Sequence, residues 1–256
     1  WLKNILQGDL GYSLAERRPV KDMISERLPN TLILGLTAFI VSLAIAIPLG
    51  IMSARRQYSM FDNVTTTLAF MGQSIPIFWF GLILIIVFSV WLKNPVTQKP
   101  LFPGGGMYTI GAPFSIFDRV HHLALPVVML ALVGVAQYMR YLRSSMLDVV
   151  HQDYIRTARA KGLSEQTVVN RHAIRNALLP LVTIIGLEIP TLVVGAVFTE
   201  TIFSWPGMGR LFVNSASLGD YNVVMAIIML SAIFVIGFNL VTAIAYAFLD
   251  PRIQYS

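Results

Sequence analysis

The sequence predicts an all-α, polytopic membrane protein, and three observations carry that expectation. Only 12% of its 256 residues are charged, about half the roughly 25% of a soluble domain. Some 55% are hydrophobic and the mean hydropathy is +0.68. Five long stretches are almost free of charge: Leu28–Ala54, Asn63–Leu92, Leu123–Met139, Asn176–Thr199 and Tyr221–Leu249. Each is long enough for a spanning helix, which needs roughly 17–25 apolar residues. None shows the alternation, in pieces of about 10 residues, of a membrane β-barrel strand. A charge pool this small excludes a soluble enzyme and a disordered chain.

Residues 1–27 are polar and nearly balanced, with Asp9, Glu16, Asp22 and Glu26 against five cations. They read as an extracytoplasmic segment, followed by a transmembrane domain over residues 28–256. The chain opens on Trp1 and lacks the basic end and apolar core of a signal peptide. An earlier span is therefore expected to carry this segment across, making six spans in the full protein and five here. Pro48 in the first span, and Ser74-Ile75-Pro76 in the second, are expected to kink their helices. Residues 93–122 read as irregular coil, with Pro95, Pro100, Pro103, Gly104–Gly106, Gly111 and Pro113. Its aromatics Phe102, Tyr108, Phe114 and Phe117 suit the membrane interface. His121 and His122 read as caps at a span mouth, because neighbouring histidines with no third ligand nearby make a poor metal site.

The net charge of +6 raises nucleic acid or anionic lipid as partners. Its distribution decides against nucleic acid. The 36-residue stretch 140–175 holds Arg140, Arg143, Arg156, Arg159, Lys161, Arg171 and Arg175 against Asp148, Asp153 and Glu165. Basic residues near span ends mark the cytoplasmic side. This places residues 55–62, 140–175 and the tail inside, with 1–27, 93–122 and 200–220 outside.

The loop 140–175 reads as helix, glycine turn, helix. Arg143 to Gly162 has apolar Met146, Val149, Val150, Tyr154 and Ala158 at helical spacing, beside a basic face. Gly162 suits a left-handed C-cap. Ser164 suits the cap of a second helix, Glu165 to about Ala177, with acid in its first turn. A solvated loop that only fixes topology is one reading; a docking surface for a cytoplasmic partner is the other. The apolar stripe favours docking.

Residues Arg156–Ser164 (Arg-Thr-Ala-Arg-Ala-Lys-Gly-Leu-Ser) and His172–Pro180 (His-Ala-Ile-Arg-Asn-Ala-Leu-Leu-Pro) resemble the EAA loop of ABC importer permeases. The form is that of the oligopeptide, dipeptide and nickel permease group. Gly8–Ser13, Arg27–Thr31, Ser74–Phe78, His122–Pro126, Glu200–Gly209 and Leu249–Arg252 add family-like motifs in the family's order. The resemblance implies the type I ABC importer permease fold, set in a bacterial inner membrane and surrounded by lipid. It implies a homologous permease as heterodimer partner, two cytoplasmic ATPase subunits and an extracytoplasmic binding protein. It also implies a short coupling helix seated in an ATPase cleft. On this sequence that site is Asp153, Tyr154, Arg156, Thr157, Ala158, Arg159, Ala160, Lys161, Gly162, Leu163 and Ser164. Two departures, Arg156 in place of the consensus Glu and a longer stretch from Gly162 to Pro180, point to the peptide group.

Other residues remain open between roles. Glu188, twelve residues into the fourth stretch, is a pathway-lining group or a hydrogen-bonded structural acid. Trp205, Pro206, Gly207 and Gly209 form a tight turn that serves structure or an outer gate. No phosphate loop, Gly-x-Ser-x-Gly, His-Glu-x-x-His or cysteine is present. The expectation is therefore no catalytic, metal or cofactor residues, and ATP hydrolysis on a separate chain. The function expected is import of peptides or a related small solute. The alternatives are an ion-gradient transporter working through Glu188 and an intramembrane hydrolase, which lacks a catalytic pair.

Overall fold

The computed structural model describes residues 8–188, 192 and 196–249. Among the described residues the regular structure is helical, apart from isolated bridges between Tyr12 and Pro19 and between Lys93 and Pro100. In chain order the helices are α1 (Val20–Arg55), α2 (Met60–Ser74), α3 (Ile77–Ile85, continuing as a π turn Ile86–Trp91) and α4 (Ile116–Val150). Then come α5 (Asp153–Ala160), α6 (Glu165–Thr167, continuing as a π turn Val168–Ala173) and α7 (Ile174–Glu188). The last are α8 (Val197–Ile202), α9 (Met208–Ser217) and α10 (Tyr221–Leu249).

The 36 residues of α1 and the 35 of α4 correspond to about 54 and 52 Å at 1.5 Å per residue. A hydrocarbon core is only about 30 Å thick, so both helices project beyond it. Among the described residues α1, α4 and Tyr221–Thr242 of α10 are long and apolar enough to span alone. The second expected span differs most from the sequence reading. Instead of a kinked helix, the chain forms two separate helices, α2 ending at Ser74 and α3 starting at Ile77. Ile75 and Pro76 are both extended, with ψ of 127° and 124°, and for Ile75 this is the conformation that the following proline favours. Pro48 causes no break, since α1 runs through it. The fourth expected span is represented by the 15 residues of α7; residues 189–191 and 193–195 lie outside the described residues.

The chain divides into two compact units. The first comprises Trp1–Ala38, Pro76–Leu130 and Glu188–Ser256. Its apolar centre is formed where Val20, Met23 and Ile24 of α1 meet Met208 and Leu211 of α9 and Val223, Ala226 and Ile227 of α10. The segments assigned outside by charge are joined here. Asp220, buried at the start of α10, accepts hydrogen bonds from Ser13 Oγ and from the N–H groups of Leu14 (3.1 Å) and Ala15 (3.2 Å). Burial alone would raise this carboxyl, but those donors outweigh it and hold Asp220 below the usual carboxylate range. Residues 93–122 join the same arrangement. The Gly106 N–H donates to Phe203 O at 2.8 Å, and His122 Nδ1 lies 3.0 Å from Gly105 O. A Cβ on Gly105 would sit 2.9 Å from Phe203 O, so glycine is what permits this approach. Of the interfacial aromatics, Phe102 turns inward against Phe88, whereas Tyr108, Phe114 and Phe117 are exposed.

The second unit comprises Phe39–Ile75 and Ala131–Leu187. Here α1 and α4 approach closely through small residues. A Cβ on Gly134 would fall 2.6 Å from Ser42 Oγ, and one on Gly50 would fall 3.0 Å from Met139 O. Such close backbones gain dispersion energy where lipid offers no hydrophobic driving force. Ser145 Oγ of α4 donates to Ala177 O of α7 at 2.9 Å, and Ala173 and Ala177 are fully buried.

Candidate functional site: the helix–turn–helix of residues 140–175

The expected helix from Arg143 to Gly162 is two helices. Residues 140–150 continue α4, and the chain then breaks at Gln152, which is extended with φ −71° and ψ 150°. A short amphipathic helix, α5, follows. Its inward face is Ile155 and Ala158, buried in one cluster with Met146, Val168, Val169 and Ala173. Of the apolar stripe, Ala158 is buried while Tyr154, also expected in the docking site, is exposed; Ile155, which the stripe did not include, is buried beside Ala158.

The turn after α5 is fixed by three separate devices. Lys161 is the C-cap, Gly162 follows with φ +77°, the Gly162 N–H reaches Arg159 O (2.9 Å) and the Leu163 N–H reaches Ala158 O (3.4 Å). This pair of bonds is the Schellman arrangement, which satisfies the last helix carbonyls through a left-handed residue. Ser164 then caps α6 by accepting the Thr167 N–H at 3.4 Å. Finally, Arg159 bridges the turn. Its Nε and Nη2 donate to Glu165 Oε2 and Oε1 at 3.0 and 2.8 Å. This two-point pairing has directional specificity, and the hydrogen bond from Arg159 holds the Glu165 carboxyl below the usual glutamate range.

The outward face collects most of the expected site. Asp153, Tyr154, Arg156, Thr157, Arg159 and Ala160 of α5 and Lys161, Gly162, Leu163 and Ser164 of the turn are exposed, while Ala158 is buried beneath them. Tyr154 (42% exposed) and Leu163 (41%) put apolar area among these charges. A Cβ on Gly162 would meet nothing within 4 Å. The second helix is also longer than expected. It runs from Glu165 through the π turn to Glu188, and the wider turn lets adjacent Val168 and Val169 both face the core.

The segment also holds an ion pair that the sequence reading did not single out. Asp62, buried in the first turn of α2, accepts Arg143 Nε at 2.6 Å and Nη2 at 2.7 Å. It also accepts Ser53 Oγ and the Tyr58 N–H (2.9 Å). Ser59-x-x-Asp62 is a Ser-x-x-acid string before an apolar run, a helix-start signal. That signal locates α2; the pairing with Arg143 has no local signature.

The remaining expected residues lie elsewhere. Glu188 is the last residue of α7 and is half-buried. Trp205, Gly207 and Gly209 are buried in the first unit. Trp205 Nε1 donates to Asn30 O and Asn30 Nδ2 donates to Pro206 O, both at 2.9 Å. Glu200, fully buried, accepts Thr31 Oγ1 at 2.8 Å and the Arg210 N–H at 3.0 Å, while Thr31 Oγ1 accepts the Met208 N–H at 2.7 Å. A Cβ on Gly207 would fall 2.5 Å from the Glu200 carboxylate, and one on Gly209 would fall 2.8 Å from Val197 Cα. The Arg27–Thr31 and Glu200–Gly209 motifs thus form one hydrogen-bonded node. No group of three or more His, Cys, Asp or Glu suited to a metal ion occurs among the described residues.

Residues 46–255 match the family model described as "binding-protein-dependent transport system inner membrane component". The chain is 52% identical over 256 residues to the oligopeptide transport system permease protein AppB of Bacillus subtilis. It is 41% identical over 269 residues to the dipeptide transport system permease protein DppB of Escherichia coli K12. Both alignments cover 100% of this chain and 79% of the relative. Among solved structures, the MetNI methionine ABC transporter in an inward-facing conformation aligns with TM-score 0.67 and 16% identity, over 89% of this chain and 96% of that one. An amino acid ABC transporter aligns with TM-score 0.63 and 13% identity, over 88% and 92%. At these identities the structural likeness carries the fold alone.

Proposed function

Because the chain belongs to the family of binding-protein-dependent transport system inner membrane components, we propose that it carries peptides and is driven through the exposed face of residues 153–164. As a member it is a multi-pass inner-membrane permease subunit of an ATP-driven importer, with the type I importer fold. It works with another permease, ATPase subunits and an extracytoplasmic binding protein, and ATP is hydrolysed on the separate ATPase chains. Its relatives' names, oligopeptide and dipeptide transport permeases, support peptides as the substrate class.

One observation carries the coupling role: α5 has a locked inner face and an open outer face. Ile155 and Ala158 are buried in the core of the second unit, while Tyr154 and Leu163 stay available. Force applied to the outer face therefore moves α5 with α4 and α7 as a block, and alternating access needs a lever of this kind. Positive φ at Gly162, with open space where a side chain would go, gives a partner's backbone close approach. Glu188 is proposed to line the pathway. The Trp205, Pro206, Gly207 and Gly209 turn is proposed to brace the outer side from within rather than to present side chains to a lumen.

The test is uptake into proteoliposomes holding the complete transporter and its binding protein. Labelled di- and oligopeptides are expected to accumulate only with ATP, and unlabelled peptides to compete. Accumulation driven by an ion gradient without ATP would contradict the coupling role. ATP-dependent uptake that peptides fail to compete would remove the substrate class and leave the coupling intact.

A further inference from the structure

The outer end of the first unit holds a cleft of about 180 Å³ lined by Glu16, Arg27, Pro206, Arg210, Leu211 and Asn214. Its lining sets two carboxylates, Glu16 and Asp220, against two guanidiniums, Arg27 and Arg210, and these differ in how far they are already engaged. Asp220, at its edge, is buried and already engaged by Ser13, Leu14 and Ala15. Glu16 lies 3.8 Å from Arg18. Arg210 uses Nη1 on Ser204 O at 2.7 Å, which leaves its other donors for a ligand. Arg27 is half-buried on α1 and forms no ion pair among the described residues. A partly desolvated guanidinium with unused donors in a fork geometry is a receptor for carboxylates.

We propose that this cleft receives an acidic side chain of the extracytoplasmic binding protein. The proposal rests on the importer reading, since a binding-protein-dependent permease must seat that partner on its outer side. The segments that build the cleft, residues 15–27 and 206–220, both lie on the side assigned as outer by charge, and Asn30 and Pro206 hold them together. The cleft opens beside an exposed strap, residues 14–18, so a protein loop has access. Charge pairs at such rims set encounter rate and partner choice more than total affinity.

The experiment measures binding-protein association with the complete transporter in nanodiscs at several salt concentrations. The variants are Arg27→Glu, Arg27→Gln and the double Arg27→Glu/Arg210→Gln, with Lys21→Glu as a control of equal charge change outside the cleft. Arg27→Glu is expected to weaken association about tenfold and to flatten its salt dependence. Arg27→Gln should fall between, and Lys21→Glu should stay near wild type. Unchanged affinity and salt dependence in the double variant would overturn the proposal. So would a deficit that disappears when anionic lipid is removed, because the cleft would then hold a lipid headgroup. Failure of the wild-type transporter to associate with any binding protein would remove the importer reading itself, and is distinguished by affecting every chain equally.

Discussion

Asp62 and Arg143, 81 positions apart, are joined by two hydrogen bonds of 2.6 and 2.7 Å. The pair ties the turn between α1 and α2 to the end of α4, directly before α5. Asp62 also takes Ser53 Oγ and the Tyr58 N–H. Removing Arg143 as Arg143→Ala leaves a buried carboxylate without its cation, and the expected loss is about 3–5 kcal/mol. The exchanged pair Asp62→Arg/Arg143→Asp should not recover stability, since the donors of Ser53 and Tyr58 would then face a guanidinium. Thermal unfolding of the purified proteins checks both; full recovery in the exchanged pair would show that Coulomb attraction alone matters there.

Gly162 tests the turn. Its φ of +77° costs an ordinary L-residue about 1–2 kcal/mol, whereas Asn tolerates this region better. Gly162→Ala is therefore expected to loosen residues 158–164 more than Gly162→Asn does. Amide exchange at Gly162 and Leu163 measures it, and equal exchange in both variants would count against the Schellman turn.

The Glu165 carboxyl is held low by Arg159, which sets the sign of its pH dependence. A depressed folded-state value adds stability that is fully present above the unfolded value of about 4.3. That stability is lost as pH falls through the folded value. The turn should be indifferent to pH between 6 and 8, taken as a rough neutral window, and loosen only in acid below the unfolded value. Glu165→Gln should abolish the acid-side change in amide exchange. A transition near neutrality would contradict the assignment.

Gly207 and Gly209 make a graded pair. An added Cβ at Gly209 meets backbone, Val197 Cα at 2.8 Å, while one at Gly207 meets the end of the Glu200 side chain. A side chain shifts more readily than backbone, though here it must give up bonds to Thr31 and Arg210. Overpacking of this kind costs about 1–3 kcal/mol, with Gly209→Ala expected at the upper end and Gly207→Ala below it. The ranking is read from thermal unfolding, and the reverse order would refute this packing.

The legible parts of the protein were those with a periodic or local signature. Charge-free runs located α1, α4 and α10, because the bilayer imposes length and apolarity on the sequence. Gly162 and Ser164 announced the turn and its cap, since those conformations demand particular residues. What escaped was non-local. Nothing near Asp62 names Arg143, and nothing near Glu200 names Thr31, because such pairs are set by packing. The break at Ile75 and Pro76 was foreseen in place, because proline disfavours helix for the residue before it, whereas the uninterrupted passage of α1 through Pro48 was not.

The most direct measurement concerns the outer face of α5. Tyr154→Asp/Leu163→Asp changes two exposed side chains and leaves Ile155 and Ala158 in their buried places. Folding should survive, with thermal unfolding near wild type. Association with the ATPase subunits and ATP-dependent uptake should both fall about tenfold or more, as expected when charge is buried in an apolar seat. A variant that folds, retains its ATPase partners and transports at the wild-type rate would contradict the assignment of residues 153–164 as the coupling surface.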